Sequence, residues 1–200
     1  MKLICLDLEG VLVPEIWIAF SQAAEIPELA RTTRDEPDYD KLMAFRLDIL
    51  DKHRLKLSDI QKVIGALSPL PGALEFADRL RAKTQMVVLS DTFEQFAKPL
   101  MEKLKFPTLF CNTLELAVDG RITGWKLRQK NGKKCTVAAF QSCNIEVFAA
   151  GDSFNDIAMI KTANSGCLFR APPAIRKSYS NIPCVDTFED FEARIDLFLS

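Results

Sequence analysis

Apolar residues along this chain gather into short runs of strand length. The first, Lys2-Leu3-Ile4-Cys5-Leu6-Asp7, gives way to acids at Asp7 and Glu9 and a glycine at Gly10. A continuous apolar run that stops in a polar loop is the mark of a parallel strand buried on both faces. Similar runs recur at Met86–Ser90, Thr108–Cys111, Val147–Ala150 and Gly166–Phe169, with a weaker one at Ile182–Val185. Helical patterns separate several of them, at Gly72–Lys83, Phe93–Leu104, Thr136–Ser142 and Asn155–Ala163. Strand alternating with helix predicts an α/β fold, a Rossmann-like parallel sheet flanked by helices and joined by right-handed crossovers. Leu114–Leu127, with Asp119-Gly120 between two short runs, predicts a β-hairpin. Pro99 should kink or split its helix.

A different texture lies between the first two strands. From Pro14 to Pro71 the pattern is helical, with no convincing strand. Pro14 can open a helix, and Ser58-Asp-Ile-Gln61 has the form of a capping box. The linker Ser68–Gly72 then returns the chain to strand–helix alternation. The expected organisation is a core of residues 1–13 and 72–200, with a small helical cap, residues 14–71, inserted after the first strand.

Composition narrows the function. Apolar residues make up 48%, charged residues 26%, and the formal net charge is -1. No strong positive field exists to attract nucleic acid or anionic lipid, so neither is expected as a partner. Acids interrupt the apolar N-terminus, which argues against a signal peptide or membrane span. Six cysteines are scattered singly, mostly in apolar runs, and read as small buried hydrophobes in a reducing compartment. A cytoplasmic enzyme fits these features. The single histidine, His53, leaves no His-based triad or His-rich metal site.

Ligands of parallel sheets bind at the carboxyl ends of the strands. Four groups fall there: Asp7 with Glu9; Ser90, Asp91 and Thr92; the lysines Lys130, Lys133 and Lys134; and Gly151-Asp152-Ser153-Phe154-Asn155-Asp156. Taken singly, such a carboxylate or serine usually caps a helix, and such lysines usually form a solvated surface. Together they suggest chemistry. Asp7, Asp152 and, as a further candidate, Asp156 would crowd like charges unless a cation sat among them. Their hard oxygen ligands suit Mg2+, completed by waters and a phosphate oxygen. A lysine would help neutralise the phosphoryl group, and Asp7 in line with phosphorus is a competent nucleophile, giving an aspartyl-phosphate. Ser90 and backbone N–H groups can bind the phosphoryl oxygens. Glu9 can protonate the leaving alkoxide and later take a proton from water.

Asp7-Leu-Glu9-Gly-Val11, Leu89-Ser90-Asp91-Thr92, the loop lysines and Gly151–Asp156 resemble the four signature motifs of the haloacid dehalogenase superfamily of phosphatases. The insertion after the first motif looks like that superfamily's first type of cap. Within it, the chain resembles most the bacterial phosphoserine phosphatases, and among these a branch described as having homoserine phosphotransferase activity. The likeness spans essentially the whole chain, including Val13-Pro-Glu15-Ile-Trp17, Thr33-Arg-Asp-Glu-Pro37, Arg46, Phe106-Pro107 and Leu127-Arg-Gln-Lys130. It implies a nucleophile at Asp7 and a general acid/base at Glu9. It implies Mg2+ held by Asp7, Asp152 and the backbone carbonyl of Glu9, with substrate contacts from Ser90, Asp91, Lys133 and Asn155. Lys133 is chosen because the likeness places the lysine just before the helix at Thr136–Ser142, with Lys134 the runner-up. Glu15 and Arg46 match residues that hold a substrate's amino group and carboxylate, a chemistry suited to both side chains. The alternatives are an Arg46 ion pair with Asp48, Glu36 or Asp40, and a Glu15 that simply favours a helix N-terminus.

One departure from the pattern matters. Most of these phosphatases carry aspartate where this chain has Glu9, although the branch resembled here shares the glutamate. The extra methylene moves the carboxylate by roughly 1 to 1.5 Å, enough to cost about a hundredfold where geometry is strict. The expectation is that hydrolysis of the aspartyl-phosphate is slowed, leaving time for transfer to an alcohol such as homoserine. L-phosphoserine is the expected substrate. The rival readings are another small phosphate ester and a phospho-aspartate signalling module. Phe and Trp residues of the cap could line the pocket, pack the core or form a homodimer surface.

Overall fold

In the computed structural model, which describes residues 1–33, 35–36 and 38–200, β1 (Lys2–Leu6) lies at the centre of a seven-stranded sheet. Of the segment Thr33–Pro37 that carries part of the resemblance, Arg34 and Pro37 lie outside the described residues. The neighbours of β1 are β2 (Gln85–Phe93) and β5 (Glu146–Gly151), both parallel to it, with Leu6 opposite Val88 and Ala150. Beyond β2 lie β3 (Thr108–Leu116) and β4 (Ile122–Lys126); beyond β5 lie β6 (Ser165–Phe169) and β7 (Cys184–Val185). The order is β4-β3-β2-β1-β5-β6-β7. The β3–β4 pair is antiparallel and is the expected hairpin. The other pairs are parallel.

Side chains alternate across each strand, so β1 supplies both faces of the sheet. Ile4 and Leu6 join Val88, Phe148 and Ala150 on one face, and Leu3 and Cys5 join Val87, Leu89, Val147 and Ala149 on the other. Burial of both sets is why β1 reads as an unbroken apolar run. The first face is covered by α4 (Ala73–Lys83), α5 (Glu94–Lys103) and α9 (Phe188–Leu199). The second is covered by α6 (Gly132–Ser142), α7 (Ile157–Thr162) and α8 (Pro173–Ser178). The last two helices of the chain, α8 and α9, extend the expected set of elements. Phe188, Phe191 and Ile195 of α9 recur at helical spacing and are buried, and Phe188 and Phe191 stack on Phe76 at 4.8 and 5.0 Å.

Between β1 and α4 come α1 (Ile16–Ala24), a 3-10 turn (Pro27–Ala30), α2 (Tyr39–Lys52) and α3 (Leu57–Ala66). Pro14 does not open α1. The chain first doubles back, with Gly10 N–H donating to Val13 C=O at 2.8 Å and Val13 N–H to Leu8 C=O at 3.0 Å, and the helix starts only at Ile16. The expected capping box is also displaced. The Asp59 carboxylate accepts from Lys56 N–H at 2.8 Å, which puts Ser58 inside the first turn of α3. Cys5 and Cys167 are buried as expected, but Cys135 on α6 and Cys143 just past its end are exposed. No described helix is long and apolar enough to cross a membrane.

Helix α5 runs through Pro99 without splitting. Proline has no N–H to give the carbonyl four residues back, here that of Gln95. A donor from another helix takes its place: Gln61 of α3 donates its amide Nε2 to Gln95 C=O at 2.9 Å. The side chain of Gln95 in turn pairs with both backbone groups of Leu114 at 3.0 Å, tying α5 to β3. Loss of the Gln61 amide leaves a half-buried carbonyl without its donor. We expect Gln61→Ala to lower stability by about 1 kcal/mol, read from the urea midpoint, and to cost less in a Pro99→Ala background, where the helix regains its own donor.

Candidate active site

The chain leaves β1, builds outward through β2 to β4, then returns to the other side of β1 as β5. Crevices at such reversal points of a parallel sheet are binding sites. Asp7 and Asp152 follow the last residues of these two strands, and their carboxylates, with that of Asp156, offer oxygens within 4.8 Å of one another. All three residues are buried. Two glycines permit the approach. Gly10, at φ +77°, would place a Cβ 2.6 Å from the Asp152 carboxyl carbon, and a Cβ on Gly151 would meet that of Asp156 at 2.1 Å.

Lys133 compensates the cluster. Its ammonium lies 2.8 Å from Asp7 Oδ1 and 2.7 Å from Asp156 Oδ1, with Asp91 Oδ2 at 3.8 Å. Lys133 sits within the first turn of α6, which starts at Gly132 rather than Thr136. A cation there opposes the helix dipole, a cost offset by its carboxylate partners. Burial works against the ammonium, but Asp156, Asp7 and Asp91 outweigh it and hold its pKa well above the ordinary lysine value. Lys134 is exposed and, like Lys130, lines an outer cavity of about 610 Å3 that opens onto the same site.

Asp156 Oδ2 accepts from the backbone N–H groups of Asp152 and Ser153, at 3.1 and 3.0 Å, and from the Ser153 hydroxyl at 3.1 Å. With Oδ1 on Lys133, both oxygens of Asp156 are engaged, so it orients the loop and the lysine. Asp7 accepts from Leu8 N–H at 2.7 Å through the same Oδ1 that meets Lys133. Burial and then the charge of Asp156 push the Asp7 carboxyl well above the usual range, Lys133 pulls it back, and Asp152 adds repulsion. A cation beside Asp7 would restore its ionised form. Three carboxylates against one ammonium, with hard oxygen donors, fit a divalent ion.

Ser90 and Asp91 lie within β2, which continues to Phe93 across a register shift after Leu89, rather than at the end of the strand. Ser90 is buried in the cavity, and its Oγ accepts from Thr92 N–H at 3.2 Å. Asp91 is a junction. Its carbonyl accepts from the Tyr39 hydroxyl at 3.2 Å and from Asn112 Nδ2 at 3.0 Å, and its carboxylate accepts from Asn155 Nδ2 at 2.7 Å. Glu9 Oε2 accepts from Ile16 N–H, at the start of α1, at 2.8 Å. Burial first and the Glu15 charge second raise its pKa to about 7, against opposing hydrogen bonds from Ile16 and Thr92 and the charge of Arg46.

A cavity of about 100 Å3 is lined from the core side by Asp7, Glu9, Ser90, Asp91, Lys133, Asp152 and Asn155, and from the helical insertion by Glu15, Trp17, Tyr39 and Arg46. It therefore brings together the residues that the resemblance assigns to chemistry or binding, while Asp156 is buried against Lys133, and Lys130 and Lys134 line the outer cavity. Arg46 forms no ion pair with Asp48, Glu36 or Asp40 among the described residues. Instead its Nη2 donates to Arg31 C=O at 2.7 Å, its guanidinium lies 4.4 Å over the Trp17 ring, and its buried Nε has no partner. Burial lowers its pKa to about 10, opposed by Tyr39, Glu9 and Glu15. Glu15 caps α1 by position, without a side-chain hydrogen bond to it. Tyr39 is a site residue that sequence reasoning missed, and no local signal marks it. Trp17, a cap aromatic left open between pocket, core and dimer surface, lines the cavity.

A family model for the haloacid dehalogenase-like hydrolases matches residues 1–164. "Phosphoserine phosphatase ThrH" of Pseudomonas aeruginosa is 54% identical over 192 residues, covering 96% of this chain and 94% of that one. A "Phosphoserine phosphatase" of Pseudomonas syringae pv. tomato is 51% identical, covering 96% and 81%. Among solved structures, a substrate-bound phosphoserine phosphatase complex and a phospho-aspartyl intermediate analogue of phosphoserine phosphatase each superpose with a TM-score of 0.76 at 23% identity, over 93% of both chains. At that identity these two show the fold alone. The charge cluster makes its own prediction. Lys133→Met strands two buried carboxylates, and we expect a loss of about 3–5 kcal/mol in stability, measured by urea unfolding in chelator.

Proposed function

The chain belongs to the haloacid dehalogenase-like hydrolases, and from that membership we propose that it is a Mg2+-dependent phosphoserine phosphatase working through an aspartyl-phosphate on Asp7. The observation that carries the reading is one small cavity lined both by Asp7, Ser90 and Lys133 and by Glu15 and Arg46. That set suits an ester with a phosphate at one end and an α-amino acid at the other. The names of the curated relatives agree.

In this reading residues 14–71 form the cap over a core of 1–13 and 72–200. Arg46 takes the substrate carboxylate and Glu15 takes the ammonium. Ser90, Lys133 and the N–H groups of the Asp7 and Asp91 loops hold the phosphoryl oxygens, while Asn155 and Asp91 keep the wall of the phosphate site in position. An oxygen of Asp7 attacks phosphorus as the serine oxygen leaves with a proton from Glu9. Glu9 then takes a proton from the water that releases phosphate and regenerates Asp7. Asp7, Asp152 and the backbone carbonyl of Glu9 would hold Mg2+, which supplies charge neutralisation at the phosphoryl group.

Transfer of the phosphoryl group to homoserine belongs to the same proposal. Glu9 is tethered to Ile16 N–H at 2.8 Å, so the base that must activate water is partly engaged by the first turn of α1. We expect Glu9→Asp to release the tether and to lower the ratio of homoserine phosphate to inorganic phosphate formed from L-phosphoserine. An unchanged ratio would defeat this account.

The primary test is phosphate release from L-phosphoserine. Sustained turnover should require Mg2+ and disappear in Asp7→Asn. A folded, Mg2+-supplied protein that turns over other phosphate esters but not this one would refute the substrate while leaving the chemistry intact. Independently of activity, Mg2+ at about 100 times its Kd should stabilise the protein by about 2.7 kcal/mol. Asp152→Asn should abolish most of that gain in thermal unfolding.

A further inference from the structure

Among the described residues the Arg46 guanidinium is held by three contacts, none of them a carboxylate. Nη2 donates to Arg31 C=O at 2.7 Å, Nη1 rests 3.8 Å from Met43 Sδ, and the planar group lies over the Trp17 indole with its carbon 4.4 Å from the ring centre. The first contact pins one corner of the fork, and the indole packs against its carbon. Nε–H is left buried with no partner. A buried donor without an acceptor costs stability, and this one is attached to a side chain that lines the cavity.

Trp17 is itself fixed from behind. It stands edge-on to Phe96 of α5 at 5.5 Å and to Phe20 at 6.5 Å. Phe96 stands edge-on to Phe93, the last residue of β2, at 5.6 Å. The same strand carries Ser90. The aromatic stack therefore runs from the strand that faces the phosphate to the arginine of the insertion, and it sets the spacing between them. An unrestrained arginine has a flexible stem with many rotamers, and would grip a carboxylate less selectively.

We propose that Trp17 is a positioning residue for substrate choice: its ring fixes the plane of Arg46 so that the site favours phosphate esters bearing a carboxylate next to the ester carbon. The inference rests on the reading of Arg46 given above. It concerns orientation only, since Trp17 offers the substrate no charge.

The test compares L-phosphoserine with O-phosphoethanolamine, which keeps the phosphate and ammonium and lacks the carboxylate. The readout is the ratio of their kcat/KM values. Wild type should favour L-phosphoserine. Trp17→Leu, which has no π face, should lower the ratio about tenfold, the scale of one buried cation–π contact, mainly through KM for L-phosphoserine. Trp17→Phe keeps a face and should retain the ratio within about threefold. Trp17→Met, flexible enough to fill the space, repeats the comparison should the leucine variant not fold. A parallel fall with both substrates, or a phenylalanine variant as indiscriminate as the leucine one, would overturn the proposal and leave Trp17 a packing residue. A wild type with no preference for L-phosphoserine would instead overturn the reading of Arg46, and the role of Trp17 with it.

Discussion

Lys133 is buried between Asp7 and Asp156, and much of the core is arranged to make that placement tolerable. Moving an ammonium and several carboxylates out of water costs several kcal/mol per ion, recovered only if the geometry is good and the remaining lone pairs are satisfied. The sheet meets the first condition by setting β1 and β5 side by side, so that Asp7 and Asp152 emerge together. The loop after β5 meets the second by giving Asp156 Oδ2 two backbone donors and a hydroxyl. Gly10 and Gly151 are small because the carboxylates occupy the space a Cβ would need. Even the first turn of α6 accepts an unfavourable cation to complete the set. The residual negative charge is what would suit the cluster to a cation.

The helical insertion is joined to this core by polar contacts at places where the backbone of the core is irregular. Asp91, in the stretch where β2 loses its regular register, offers its carbonyl to Tyr39 of α2 and to Asn112 of β3. Gln95, whose carbonyl is freed by Pro99, receives Gln61 of α3. Lys103 adds a third tie, donating to Gly65 C=O at 2.8 Å and to Leu67 C=O at the end of α3, where a cation suits the helix dipole. Irregular backbone in the core leaves unpaired groups, and the insertion supplies their partners. Its position over the cavity is set by hydrogen bonds as well as by apolar packing, and the Trp17–Phe96 contact joins the two kinds of restraint.

Much of this was visible along the chain because it depends on local rules. Buried parallel strands must be apolar on both faces, so β1, β2, β5 and β6 read directly as runs. Helix α9 was equally legible in principle, since Phe188, Phe191 and Ile195 keep helical spacing, yet it lies beyond the motifs that draw attention. The departures at Pro14 and Ser58 and the unsplit helix at Pro99 share a cause. Each residue has a strong local preference, and each was overruled: by the backbone turn between Leu8 and Val13, by Asp59 reaching back to Lys56, and by an amide donated from a different helix. The exposure of Cys135 has the same origin, because which side of α6 meets the sheet is decided by packing.

The sequence by itself determined the sheet, the acids that follow β1 and β5, and the family those motifs resemble, because strand burial and loop chemistry are written in consecutive residues. Only the tertiary structure decided which lysine meets Asp7, since Lys133 and Lys134 are adjacent and identical in type. The turn of α6 buries one ammonium between two carboxylates and exposes the other. It also decided that Arg46 lies on an indole and a carbonyl rather than in a surface ion pair, and that Tyr39 reaches Asp91. Those contacts join residues 15 to 52 positions apart, and local preference carries no information about such distances.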